Sequence, residues 1–428
     1  MSLMMKILED LTPLNRVMCS RDYDRTIEYL LDVLPFNVIK YPSTVEHNGW
    51  VIPPKWDVKE AKILKNGKVI YDGTKHVLAV IALSKSFRGK VDLLELKKHL
   101  HYDHRDQDAI PFHFRQQFRS WNRDWGFCVP RSFYDQLEPG DYEVIIETEE
   151  SDGVLKLLEY IHKGDLDETI AFGGNLDHPG VSNDGLAGCV VGIEVMRRLK
   201  GKRTKFTYKL AFVQGIIGSE LYLGKMEKAE REKIREGVFL EMLGSETQLA
   251  LQASRDGTSN IEYGIEKALD ELGTSYRKGP FESIIINDEY IWEAYGVPMA
   301  SLSRFPYPEY HNNKDNFSIM SERSLEEAVE AIMRGIELVE SSKIIFKKFE
   351  GNICLSNPKY NLYIDPGQAQ FEGFQGGDMR KMRILMDLIP TLKRPVTARR
   401  IAHKVGLSEN MVLGYLTKWA DKGLVEIF

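Results

Sequence analysis

The chain alternates between stretches whose apolar residues recur at helical spacing and short runs that read as strands. Ile7, Leu8, Leu11 and Leu14 form one helical face. Ile27, Leu30, Leu31 and Leu34 form a second, after a helix start at Ser20-Arg21-Asp22, so residues 4–34 read as helical. Phe36 to Val45 reads as a strand broken by Pro42. Residues 51–125 have another texture. Val58–Ile63 and Lys68–Tyr71 flank Lys65-Asn66-Gly67, a hairpin turn. Val77–Leu83 reads as a further strand and Val91–Leu100 as a short helix. This stretch is expected to be a small β-rich insert.

From Tyr142 the pattern becomes α/β. Strands are expected at 142–148, 155–161, 168–172, 205–213, 237–242 and 298–303. Helices are expected at 186–199, from Gly218, at 261–272 and at 325–341. Such alternation implies a mixed, largely parallel sheet with helices on both faces. Residues 351–375 are rich in Gly, Pro and Asn and read as a linker. The tail, 376–428, reads as a winged helix-turn-helix. It has a helix over 379–392 and a second over 398–405 capped by Thr397. A third, over 409–422, is capped by Ser408 and followed by a strand at 424–428. The expected organisation is therefore an α/β body from 1–50 and 126–350, the insert, the linker and the tail.

Composition narrows the function classes. At 428 residues the chain exceeds one ordinary core. Its net charge of −6 argues against a globally basic nucleic-acid binder, and no apolar run reaches the ~18 residues of a membrane span. Cys19, Cys128, Cys189 and Cys354 lie far apart, which suits reduced thiols in a cytoplasmic protein rather than a disulfide frame or a cysteine zinc site.

The chemistry concentrates beyond strand ends, where open α/β sheets bind ligands. Thr169–Val190 runs from an apolar strand through Asp177, His178 and Asp184 into a Gly/Ala-rich helix start. Imidazole and carboxylate are the ligand types of zinc enzymes, although a polar loop with a chance histidine fits the same spacing. A second cluster, Pro308 to Asn316, carries His311. A third is Asn287-Asp288-Glu289. Glu241, at the end of a buried strand, needs a metal or a cation as partner. His101 and His104 lie beside no further ligand cluster and are expected on a solvated loop.

These residues resemble a bacterial family of aminopeptidase-like proteins, often labelled as polysaccharide-biosynthesis proteins, distantly related to co-catalytic zinc aminopeptidases. The resemblance rests on Tyr41-Pro42-Ser43, Trp50 to Trp56, Trp125 to Cys128, His178-Pro179 with Asn183-Asp184, Gly218-Ser219, Ser254-Arg255, Asp288-Glu289, and Tyr307 to His311 with Asp315-Asn316. It implies a zinc-aminopeptidase-like fold with an inserted small domain and a C-terminal winged helix. It also implies one or two zinc ions held by His178, Asp184 and His311, with Glu289 or Glu241 as base. Asp177, Asp288, Arg255, Tyr310 and Asp315 would support them or touch substrate. Two positions depart from the wider group. The His of its H-x-D motif falls on Asn175, and the family's general-base Glu is absent around Gln214-Gly215-Ile216. Losing a base commonly removes ~10²–10⁴-fold of rate.

Three readings stand. The first is a metallo-aminopeptidase whose small peptide or amino-bearing substrate offers its free amine to the acidic residues. The second is an impaired peptidase fold binding metal, peptide or amino sugar. The third is a winged-helix regulator. The tail is locally basic, but its third helix opens on Glu409, Asn410 and Met411, so docking on the body or on a second subunit of a homo-oligomer is expected ahead of DNA binding.

Overall fold

The computed structural model describes residues 1–365 and 376–428, so part of the expected linker, 366–375, lies outside the described residues. The chain divides into two units: Met1–Asp256 with Gly273–Ala331, and Gly257–Leu272 with Ile332–Phe428.

The first unit is built on an eight-stranded mixed sheet. Its spatial order is Asn37–Pro42, Val154–His162, Thr207–Val213, Thr169–Asn175, Ile234–Leu240, Met299–Ser303, Leu249–Gln252 and Tyr276–Gly279. The four central strands, from Thr207–Val213 to Met299–Ser303, run parallel. Every residue of Thr169–Asn175 is buried, as a strand covered on both faces requires. Alternate residues serve the two sides. Ala171 joins Ala211, Phe239, Leu221 and Trp292 in one core. A Cβ on Gly174 would meet Cys189 Sγ of the Gly188–Leu199 helix at 3.2 Å on the other side. The strands Leu249–Gln252 and Tyr276–Gly279 and the six-residue helix Glu289–Ala294 escape sequence reading because each is too short to carry a period.

The insert holds a four-stranded antiparallel sheet, in the order Lys68–Asp72, Lys55–Lys65, Asp141–Ser151, Phe87–Asp92. The Asn66-Gly67 turn is present, with both residues at positive φ (52° and 75°) and Lys65 paired with Lys68. The strand beginning near Tyr142 therefore belongs to this sheet and not to the large one, so the β-rich part extends beyond residue 125. Val77–Leu83 is not a strand. It is a buried, turning segment whose amides bond irregularly, Ile81 N to Gly126 O and Ala82 N to His113 O, and Leu83 has φ 61°. A continuous apolar run reports burial, and here burial comes without a ladder. The two helical faces of 4–34 are two helices, Leu3–Leu11 and Arg21–Val33, the latter capped by Ser20 where its start was expected.

In the second unit, Ile344–Lys347 lies between Val396–Thr397 and Val425–Ile427 in a three-stranded antiparallel sheet. The helices Gly376–Leu388, Ala398–Val405 and Glu409–Asp421 bury Leu385, Ile401, Leu416 and Trp419. Thr397 and Ser408 accept from Arg400 N and Met411 N as N-caps, and Gly406 ends its helix at φ 72°. No helix among the described residues is long and apolar enough to cross a membrane.

Candidate metal centre

The C-terminal ends of the parallel strands face a cavity of about 450 Å³. Asn175 ends Thr169–Asn175, Glu241 follows Ile234–Leu240, Gly215 follows Thr207–Val213, and the chain beyond Met299–Ser303 brings His311. Asp177, His178, Asp184, Asp288 and Tyr310 also line it.

One nitrogen each from His178 and His311 and one carboxylate oxygen of Asp184 lie within 4.8 Å of one another. His311 Nε2 is 3.0 Å and His178 Nε2 3.7 Å from Asp184 Oδ2, which is buried without an aligned hydrogen bond. Burial alone would raise the Asp184 carboxyl, but the two imidazoles outweigh it and hold it below its usual range. Two imidazoles and a carboxylate are a donor set that fits zinc. The loop is fixed from several sides. Asp315 accepts from the backbone N–H of Ser182, Asn183 and Asp184 and from the Tyr307 hydroxyl. Gly185, at φ +78°, has room for no side chain: a Cβ would stand 2.6 Å from Asn175 O and 3.1 Å from His178 Nδ1.

Arg16 holds the same loop from beneath. Its guanidinium is fully buried and donates to His178 O (2.6 Å) and Val181 O (2.8 Å), as well as to Leu11 O and Thr12 O. Gly180 N donates to Leu14 O, and the hydroxyls of Thr12 and Ser182 are 2.6 Å apart. Burial lowers the Arg16 pKa to about 10, so the group remains a cation near Asp177 and Asp315. Nothing in Leu14-Asn15-Arg16-Val17 announces this role in the sequence.

The cavity's second wall is acidic. Asn175 Nδ2 donates to Glu241 Oε1 (3.0 Å) and Asp288 Oδ2 (3.1 Å). Burial pushes Glu241 well above the usual carboxylate range, helped by Glu289, Asp184 and Asp288; burial also takes Asp288 up to about 6. Glu289 is buried, raised by burial to about 7, and does not line the cavity. A raised folded-state value means that folding opposes ionisation, so this group costs stability as pH rises from its unfolded pKa, near 4.5, to about 7. Glu289→Gln is therefore expected to melt progressively higher relative to the parent between pH 5 and 7.5. A difference independent of pH would contradict it.

The third wall is aromatic and comes largely from the insert: Phe112, Phe114 and Phe118, with Tyr290 and Tyr310 opposite. Phe112 lies edge-on to both His178 and His311, at 5.7 Å. Phe112 N donates to His311 O, and Asn313 N to Ile110 O, stitching the insert to the His311 loop. Sequence reading missed this wall, although the alternating Phe112-His113-Phe114 was its one signal. Asp177 Oδ1 accepts from Gly215 N (2.9 Å). Arg255, expected near substrate, is not in the cavity; it is exposed, 3.7 Å from Glu282 and stacked on Phe281. An arginine needs an anion, and that one stands on the surface. His101 and His104 form no ligand group among the described residues; His101 faces His113 at 4.3 Å between ring centres.

A mixed parallel sheet with its pocket at the strand ends, covered by helices and carrying a β-rich insert, is an aminopeptidase-like α/β architecture. The chain belongs to the family described as a domain of unknown function, DUF4910, which matches residues 5–342. It is similar to a Clostridium acetobutylicum protein named for polysaccharide biosynthesis and an aminopeptidase-like domain, at 25% identity over 342 residues, 79% of this chain and 77% of that one. Among solved structures, a provisionally assigned peptidase from Clostridium acetobutylicum superposes with a TM-score of 0.75 at 22% identity, covering 99% of this chain and 96% of that one. The zinc aminopeptidase BSAP of Bacillus subtilis superposes at 0.60 and 13% identity, over 78% of this chain and 92% of that one. These likenesses establish the fold.

Proposed function

We propose that this protein is a metal-dependent, aminopeptidase-like hydrolase that cleaves an amide bond beside a free amine. The observation that carries the reading is the group of His178, Asp184 and His311 at the floor of a cavity with one acidic and one aromatic wall. These three residues would hold zinc, which when bound supplies Lewis-acid polarisation of a carbonyl. Asp315 orients Asp184 through the backbone, and Tyr310 stacks on the His311 ring at 3.9 Å. Asp288 attracts the substrate's ammonium. Glu241, on the cavity wall, is the carboxylate suited to accept and return a proton, and Glu289 acts from behind by keeping its charge costly. Phe112, Phe114 and Phe118 exclude water from the reacting group.

A second reading, binding with little turnover, is supported by Gly215. It stands on the cavity wall at φ +52°, where the family's resemblance places a glutamate base and this chain has no carboxylate. The tail is read as a structural or docking element and not a DNA reader: Arg399 pairs with Glu409, Arg383 with Asp387 and Lys381 with Asp378.

Zinc-loaded protein is expected to release the leaving amine from a panel of amino-acid anilides and amino-sugar amides, and to stop when a chelator is added or when His311 is replaced by Ala. Zinc uptake without turnover on the whole panel favours the second reading. No zinc uptake at micromolar zinc overturns the hydrolase reading and leaves the binding of a peptide or amino sugar.

A further inference from the structure

We infer that the cavity holds one metal ion and not two, because the Asn175 carboxamide fills the place beside the first where a second would sit. This rests on the metal reading of His178, Asp184 and His311. Glu241, Asp288 and Glu289 are buried together, and three carboxylates around one point ordinarily demand a cation. What stands there is a neutral amide. Asn175 Nδ2 spends its two hydrogens on Glu241 Oε1 and Asp288 Oδ2, with Asn287 Oδ1 3.5 Å away. The orientation is set by the network, since the flipped amide would withdraw both N–H donors from Glu241 Oε1 and Asp288 Oδ2 and turn an oxygen toward them.

The side chain also has no easy way out. Asn175 is 2% exposed, ends the central strand, and its carbonyl lies against the Cys189 thiol and the ligand-loop turn at Gly185. An amide nitrogen is no ligand for zinc, so an ion entering here would have to break two hydrogen bonds and find no imidazole in return. Two acceptors nevertheless remain unused and buried, Asp288 Oδ1 and Asn175 Oδ1, and neither Glu289 oxygen has an aligned hydrogen bond. The second position is thus a latent cation site closed by one residue, and Glu241 on its wall feels the charge of Asp184.

The test is metal content of the full chain, stripped by chelator and dialysed against excess zinc. The parent is expected to hold one zinc per chain, and Asn175→His, which brings an imidazole to the carboxylates, nearly two. Adding Glu241→Gln to Asn175→His is expected to return the count to one. Asn175→Asp, which keeps the shape and removes the two donors, covers the case in which the imidazole does not fit. Its melting temperature is expected to fall below the parent's without zinc and to recover more than the parent's on adding it, with a second, weaker zinc bound. Two equivalents in the parent, or one equivalent in both folded Asn175 variants, would overturn the inference while leaving the first site standing. A parent that binds no zinc would overturn the first site, and this inference with it.

Discussion

Asp184→Asn is expected to cost the protein its metal. Asp184 Oδ2 is the oxygen on which His311 Nε2 and His178 Nε2 converge, and it is the sole carboxylate of that group. The asparagine keeps the shape of the loop and the three backbone bonds to Asp315, but removes the charge that draws a cation into a buried site. Changing an outer partner of a metal ligand commonly costs ~10–100-fold in affinity, and a direct charged ligand should cost more, on the order of 10³-fold. Competition with a chromophoric zinc chelator measures this directly, with circular dichroism to show that the fold persists. Parent-like affinity in a folded Asp184→Asn protein would remove the group from consideration as a metal site.

Arg16→Met should give the largest loss of stability. The substitution keeps most of the apolar stem but strips hydrogen-bond donors from the carbonyls of Leu11, Thr12, His178 and Val181 at once. A buried polar group left unpaired costs ~1–3 kcal/mol, so even with partial relaxation the total should reach about 3 kcal/mol or more. That corresponds to a melting temperature lower by roughly 3–6 °C for a unit of this size. The loss also removes a cation that Asp177 and Asp315 feel. Arg16→Lys keeps the charge but not the fork, and is expected to recover only part of the difference in a thermal melt. A melt within 2 °C of the parent for Arg16→Met would show that the loop needs no clamp.

The sequence revealed the residues of the His/Asp group better than it revealed their surroundings. Asp184, His178 and His311 were legible because each is a metal-binding residue type in a polar loop just past an apolar strand, where α/β sheets place ligands. Ser20, Thr397 and Ser408 were legible as caps because capping is local chemistry, and Asn66-Gly67 as a turn because it needs positive φ. Membership of a sheet is not local. The strand at Asp141–Ser151 shows its period but not its partners, and Val77–Leu83 shows its burial but not its irregular bonds. Arg255 sits in a motif that suggested substrate and belongs instead to a surface pair. Arg16 and the three phenylalanines act through contacts across ~70 to ~200 residues of chain, which no window of sequence contains.

The clamp by Arg16 also bears on when the centre can form. A zinc finger gathers its ligands within one short stretch, so the ion can organise the chain around itself. Here the anchoring residue is at position 16, two of the candidate ligands are at 178 and 184, and the third and its orienting aspartate are at 311 and 315. A chain still emerging from the ribosome at residue 300 has completed the strands of the central parallel group up to the start of Met299–Ser303 and still has no third ligand. On the proposed metal reading, ion capture would follow assembly of the sheet, and the appearance of cobalt colour during refolding would time the closing of the longest loops rather than the birth of the sheet.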